Sequence, residues 1–215
     1  VNYNRDIEMF PVLKNILFKV TGKDIYKSPT EMGVNVIGKC ITNNEVVEEA
    51  SKKEIVRRYY QERNNYKIGL CDEDTCKKIK LLMNELNIDE DYLDVIKPAL
   101  LKSQKENVPV ISLKIGRKII TGKQTELLTP AGSLILNAMK ELAKIPDEMN
   151  LLSPKVLQPM LNLKHELNIG NKLTLPEILT ALSICGATNP IIEKALNNLT
   201  KLKDCEAHAT YIVDN

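Results

Sequence analysis

The sequence contains no tryptophan and only two phenylalanines, and aromatic residues make up 4% of its 215 positions. Proteins that hold single-stranded nucleic acid stack bases on aromatic side chains, and this chain offers few such platforms. Charge of one sign is equally scarce: thirty Lys and Arg face twenty-eight Asp and Glu, giving a net charge of +2. That balance excludes a basic tail, an acidic disordered chain and a strong non-specific pull on nucleic acid, so no nucleic-acid partner is expected. No apolar run approaches the ~18 residues of a membrane-spanning helix, so no membrane partner is expected either. The opening residues carry none of the marks of a secretory signal, and five irregularly spaced cysteines include no CxxC pair. These features imply reduced thiols in a cytoplasmic protein. The chain begins with Val1 rather than Met, which reads as a piece of a longer chain or a processed product.

What is present is ordinary for a globular protein: 43% hydrophobic and 27% charged residues, enough to build a core without disulfides or metal. Apolar residues at 7, 10, 13, 16, 17 and 20 predict a helix closed by Gly22. Ser28-Pro29-Thr30-Glu31 has the form of a second helix start. A long helix is expected from Asn43 or Asn44 to about Tyr66, with Glu48-Lys52, Glu49-Lys53 and Glu54-Arg58 in the favourable order. Two acid-capped helices follow over 72–87 and 89–105. At Val108 the period changes from helix to strand. Val108–Ile115 and Lys118–Thr121 read as a hairpin turned by Gly116-Arg117. Helix starts follow at Thr129-Pro130, Ser153-Pro154, Thr174-Leu175-Pro176 and Asn189-Pro190. A last strand is expected over 207–213, joining the hairpin. The class is therefore α+β, helix-rich with a small, mostly antiparallel sheet. A helical lobe spans 1–108 and an α/β lobe 109–215.

Several segments carry candidate chemistry, each beside a plainer reading. Gly116 to Gly122-Lys123-Gln124 has the wrong spacing, and no hydroxyl, for a phosphate-binding loop, so it reads as a hairpin end. Lys123 could still meet a ligand phosphate as a point charge. His165-Glu166 begins a zinc-peptidase pattern whose second histidine position holds Ile169, which removes that chemistry. Cys205 and His208 are the one thiol and imidazole close in sequence. They meet only if the chain turns between them; the alternative is a buried thiol beside a hydrogen-bonded His. Arg5, in the polar opening Asn2-Tyr3-Asn4-Arg5-Asp6, is either part of a helix-capping region or a fork for phosphate or carboxylate. Arg57-Arg58-Tyr59-Tyr60 reads as a solvated helix face, and Asn189 as a helix cap.

Taken in order, the strings Val-Asn-Tyr-Asn-Arg-Asp at 1–6, Lys-Ser-Pro-Thr-Glu-Met-Gly-Val-Asn at 27–35, Arg-Arg-Tyr-Tyr at 57–60 and Thr-Gly-Lys at 121–123 are distinctive. With Ala-Thr-Asn-Pro at 187–190 and Cys-Glu-Ala-His at 205–208, they resemble the C-terminal part of a bacterial family, domain of unknown function eighteen-forty-six. The departures are mild, such as Glu31 where that family has Asp. The resemblance implies members about twice this long, whose first half carries a Walker-like Gly-Lys segment. It therefore implies a missing N-terminal half as partner, with ATP and Mg as cofactors of the longer protein and none required by this chain. Some members are described as ATP-dependent zinc proteases, which Ile169 argues against here.

Two functions follow as expectations. In the first, the chain completes a nucleotide or other phosphate site at a domain interface. Arg5 and Lys123 would meet phosphate, and Asn2, Asn4, Lys27, Ser28, Thr30, Asn35 and Asn189 would face substrate. Cys205 and His208 would be the nucleophile and base, and Arg5, Asn35 and His208 should converge on one cavity. In the second, the chain is a structural or homo-oligomerising module with no catalytic site.

Overall fold

The computed structural model describes residues 3–23 and 44–213. It divides into two compact units, Val1–Leu93 and Asp94–Asn215. The expected helix start at Ser28-Pro29 lies outside the described residues.

The described residues of the first unit form helices and turns. Helix α1 (Tyr3–Thr21) ends where expected: Gly22 takes φ +65°, and its N–H donates to the Phe18 carbonyl at 2.8 Å. Helix α2 (Asn44–Lys67) carries the Glu48–Lys52 and Glu49–Lys53 pairs at 2.7 and 3.1 Å, while Glu54 reaches Arg57. Its Ile55, Val56 and Tyr59 are buried, as are Ile79, Leu82 and Met83 of helix α3 (Glu73–Glu85), which packs on it. Each such side chain contributes about 1.5–3 kcal/mol on leaving water. Asn87, at φ +54°, closes α3: the Ile88 N–H donates to the Met83 carbonyl at 2.9 Å and the Asn87 N–H to Asn84 at 3.2 Å. This is the two-bond end in which a left-handed residue satisfies the last carbonyls, with asparagine in glycine's place.

The helix expected over 89–105 is shorter than its sequence pattern. Helix α4 spans Ile96–Glu106, and residues 89–95 are irregular chain with short turns. Pro98 explains the difference. It has no N–H to give to Asp94, so a helix running through from Asp89 would be broken there, whereas one starting at Ile96 holds Pro98 in its first turn.

Among the described residues the second unit holds α4, a hairpin, four further α-helices, a short 3-10 helix (Leu199–Leu202) and a third strand. Strands β1 (Val110–Ile115) and β2 (Lys118–Lys123) pair antiparallel, Ile115 opposite Lys118, around Gly116-Arg117. Gly116 alone takes positive φ in that turn, as a two-residue turn with glycine first requires. Strand β3 (Ala207–Ala209) lies on the other edge of β1, giving the order β2-β1-β3. It is shorter than expected, although Thr210 extends the pairing: its N–H donates to the Val110 carbonyl at 2.9 Å. Helices α5 (Pro130–Ala143), α6 (Pro154–Glu166), α7 (Leu175–Gly186) and α8 (Pro190–Leu196) all begin at the expected Thr, Ser or Asn caps. The class is α+β, helix-rich with a small antiparallel sheet, as the periodicity predicts. One core joins α5 to α8 through Met139, Leu161, Leu173, Ile178, Leu182 and Ile192; a smaller one sets Leu113 against Leu134 and Ala138.

Candidate functional site

Tyr59, Arg63, Tyr66 and Lys67 fall at i, i+4, i+7 and i+8 on α2, and so share one helical face. Glu73, Cys76, Lys77 and Lys80 fall at i, i+3, i+4 and i+7 on α3, again on one face. The chain turns back after Asn87 and brings Glu90 to the same place. These residues line one open pocket of about 400 Å³ within the first unit.

Glu90 is the pocket's electrostatic centre. It accepts from the Tyr59 hydroxyl at 3.0 Å, from Lys80 Nζ at 2.6 Å and from Arg63 at 3.4 Å. Burial pushes its carboxyl up, but the hydrogen bonds from Lys80 and Tyr59 and the charges of Lys80 and Arg63 outweigh burial and hold it below 4.5. The Arg63 guanidinium lies 5.5 Å from the Tyr59 ring centre and 5.7 Å from that of Tyr60, and Lys80 Nζ lies 5.5 Å from Tyr59. Such cation–ring contacts fix both cations against the aromatic wall. Burial, aided by the Glu90 charge, raises Tyr60 to about 12, so its phenol remains protonated at neutral pH.

The lining carries four cations, Arg63, Lys67, Lys77 and Lys80, against two carboxylates, Glu73 and Glu90. Lys77 is paired with Glu73 at 2.9 Å, while Lys67 and Tyr66 are exposed. Net positive charge beside an exposed ring suits a small anion bearing a flat group. The pocket was missed in the sequence, where Arg57-Arg58-Tyr59-Tyr60 reads as a solvated face. Tyr59 is in fact buried and Arg63, outside that string, is the arginine that lines the pocket. The available signal was the helical repeat of Tyr and cation from 59 to 67.

Of the candidate site residues read from sequence, Lys123, Asn189, Cys205 and His208 lie within the described residues with their side chains. Asn2, Lys27, Ser28, Thr30 and Asn35 lie outside the described residues, as do the side chains of Asn4 and Arg5 in the first turn of α1, so the convergence expected of Arg5, Asn35 and His208 does too. Lys123 forms an ion pair with Glu106. Its neighbour Gly122 packs so tightly that a Cβ there would sit 2.3 Å from the Leu134 nitrogen, as befits a hairpin strand under a helix rather than a phosphate loop. The Asn189 side chain accepts from the Ile191 N–H at 3.0 Å and caps α8. The Cys205 thiol donates to the Lys201 carbonyl at 3.5 Å and packs on the Leu113 core, while His208 stands opposite Ser112 in β3. His165 sits exposed at the end of α6. Among the described residues no three His, Cys, Asp or Glu side chains gather as metal ligands, and no helix is long and apolar enough to cross a membrane.

Residues 1–87 match the model of the domain of unknown function DUF1846, N-terminal, and residues 91–215 that of the domain of unknown function DUF1846, C-terminal. The expectation of a C-terminal part lacking any N-terminal domain sequence is thereby corrected, since the first unit belongs to the N-terminal model. A UPF0371 protein of Clostridium tetani (strain Massachusetts / E88) is 45% identical over 99% of this chain and 45% of its own length. A UPF0371 protein of Clostridium botulinum (strain Alaska E43 / Type E3) is 47% identical over 99% of this chain and 45% of its own. The chain thus spans less than half the length of these curated relatives. With the two models together covering nearly every residue, the chain belongs to the family of domain of unknown function DUF1846.

Proposed function

We propose that this chain binds a nucleotide or other phosphate-bearing small molecule, and that the pocket between α2 and α3 holds its charged end. The observation that carries this reading is the excess of cations over carboxylates around a cavity of about 400 Å³, a size within the usual range of ligand sites. Arg63 supplies a planar fork, Lys67 and Lys77 supply point charges, and the exposed Tyr66 ring offers a stacking surface. Glu90 keeps Arg63 and Lys80 in place. Lys123, already paired with Glu106, has no part in this version of the reading.

Calorimetric titration of ATP, AMP and pyrophosphate into the protein, beside the double substitution Lys67→Glu and Lys77→Glu, tests it. Both lysines are exposed, so the fold should survive. Binding weakened at least tenfold by the substitutions is the expected result. No binding of any of the three, or equal binding by both proteins, overturns it.

An assembly module is the second reading, and it has its own observation. Val12, Ile16 and Val20, spaced four apart on α1, are 51%, 51% and 78% exposed and form an apolar stripe. Light scattering showing a dimer that Ile16→Ser dissolves would favour it.

A further inference from the structure

Cys71 and Cys76 straddle the start of α3. Asp72 is the residue before the first helical position, so Cys71 and Cys76 occupy the two places where a helix start usually carries a pair of packed apolar side chains. Here that staple consists of two thiols, set on the two positions whose side chains a helix start brings against each other. Both are free, Cys76 is buried in the pocket wall, and Cys71 is the more open of the two, donating to the Glu62 carbonyl at 3.4 Å.

We propose that Cys71 and Cys76 are a reversible dithiol–disulfide site that exchanges with small-molecule disulfides of the glutathione class. The Cys71 thiolate attacks one sulfur of the oxidant and expels the first thiolate, leaving a mixed disulfide. The Cys76 thiolate then attacks the Cys71 sulfur and expels the second. Two electrons pass from the pair to the oxidant, one S–S bond breaks and one forms, and the two thiol protons end on the two small thiols released. Exposure sets the order, because only Cys71 can be reached first. The site stands on the staple geometry and does not depend on what the pocket binds.

Burial, and then the Glu62 contact, raises the Cys71 thiol to about 11, and burial raises Cys76. The thiolate fraction is therefore small at neutral pH and grows about tenfold per pH unit below that value. Slow, strongly pH-dependent exchange distinguishes this pair from a catalytic thiol.

The test uses the full chain with Cys40→Ser, Cys185→Ser and Cys205→Ser, so that only the pair remains, incubated with oxidised glutathione between about pH 7 and 9. Titratable thiols should fall from two to none, with a mass loss of two hydrogens and no glutathione retained. The rate should rise about tenfold per pH unit, and adding Cys76→Ser should trap a stable glutathione adduct on Cys71. A retained adduct with Cys76 present, a covalent dimer, or two thiols unreacted at the highest pH would each overturn the proposal. If the triple substitution fails to fold, alkylation and peptide mapping of the unsubstituted protein reads the same disulfide directly.

Discussion

The Tyr59 hydroxyl donates to Glu90 at 3.0 Å, joining the middle of α2 to a turn thirty-one residues further along the chain. Glu90 also takes Lys80 and Arg63, so one carboxylate ties two helices to the segment that follows them. Its carboxyl is held below the ordinary value in the folded state, so the stability it contributes is fully present above the unfolded carboxyl's pKa. That stability is lost as pH falls through the lower folded value. Glu90→Gln should cost about 1 kcal/mol at neutral pH, a modest figure because the side chain is partly exposed. Urea unfolding of both proteins at neutral and at acid pH checks the sign. The difference should shrink to nothing once the wild-type carboxyl is protonated.

A second ion pair lies in the other unit and is asymmetric. Lys164 is buried, its side chain 8% exposed, and reaches both oxygens of Glu177 at 2.8 Å; the Glu177 side chain is 30% exposed and also accepts from the Thr174 N–H and hydroxyl. Removing the acid strands a buried ammonium, whereas removing the base leaves the acid its Thr174 partners and some water. Glu177→Ala should therefore cost about 3–5 kcal/mol, and Lys164→Met close to nothing or about 1 kcal/mol. Equal losses in thermal or chemical unfolding would show that this accounting is wrong.

Asn189 separates a cap from a ligand contact. Its side chain satisfies the Ile191 N–H at the start of α8, and serine or aspartate can do the same. Asn189→Ala should cost about 1 kcal/mol of stability and Asn189→Ser only a few tenths. Ligand titration should be indifferent to both. Were Asn189 a substrate contact, Asn189→Ser would retain stability and still lose binding.

The helices and the hairpin were legible because their signals are local. Thr129-Pro130, Ser153-Pro154 and Asn189-Pro190 each announce a helix start within a few residues, and Gly116-Arg117 announces a turn by itself. The helix expected over 89–105 rests on its acidic start, and the local signal that shortens it is Pro98, whose missing N–H forbids the N-terminal half. The pocket was less legible, since no local rule says that the α2 face from Tyr59 to Lys67 will meet the α3 face from Glu73 to Lys80. Glu90 is harder still, because it reaches the pocket only through the left-handed turn at Asn87. Cys71 and Cys76 read as irregular spacing, although the helix expected over 72–87 already sets them on either side of its start at Asp72.

Gly122 tests the packing of the hairpin against α5 most sharply. A Cβ on it would lie 2.3 Å from the Leu134 nitrogen, 2.5 Å from the Leu134 Cα and 2.5 Å from the Pro130 carbonyl oxygen. All three are backbone atoms of a helix that the sheet packs against, so no side-chain rotation relieves the clash. Gly116, by contrast, has open space around it, and only its φ of +58° disfavours a side chain. Gly116→Ala should cost about 1 kcal/mol for the left-handed conformation, and Gly122→Ala about 3 kcal/mol, the upper end for overpacking. Chemical unfolding of the two variants decides between them. Similar small losses would mean that β2 slides freely on α5, and the close approach at Gly122 would then have no structural role.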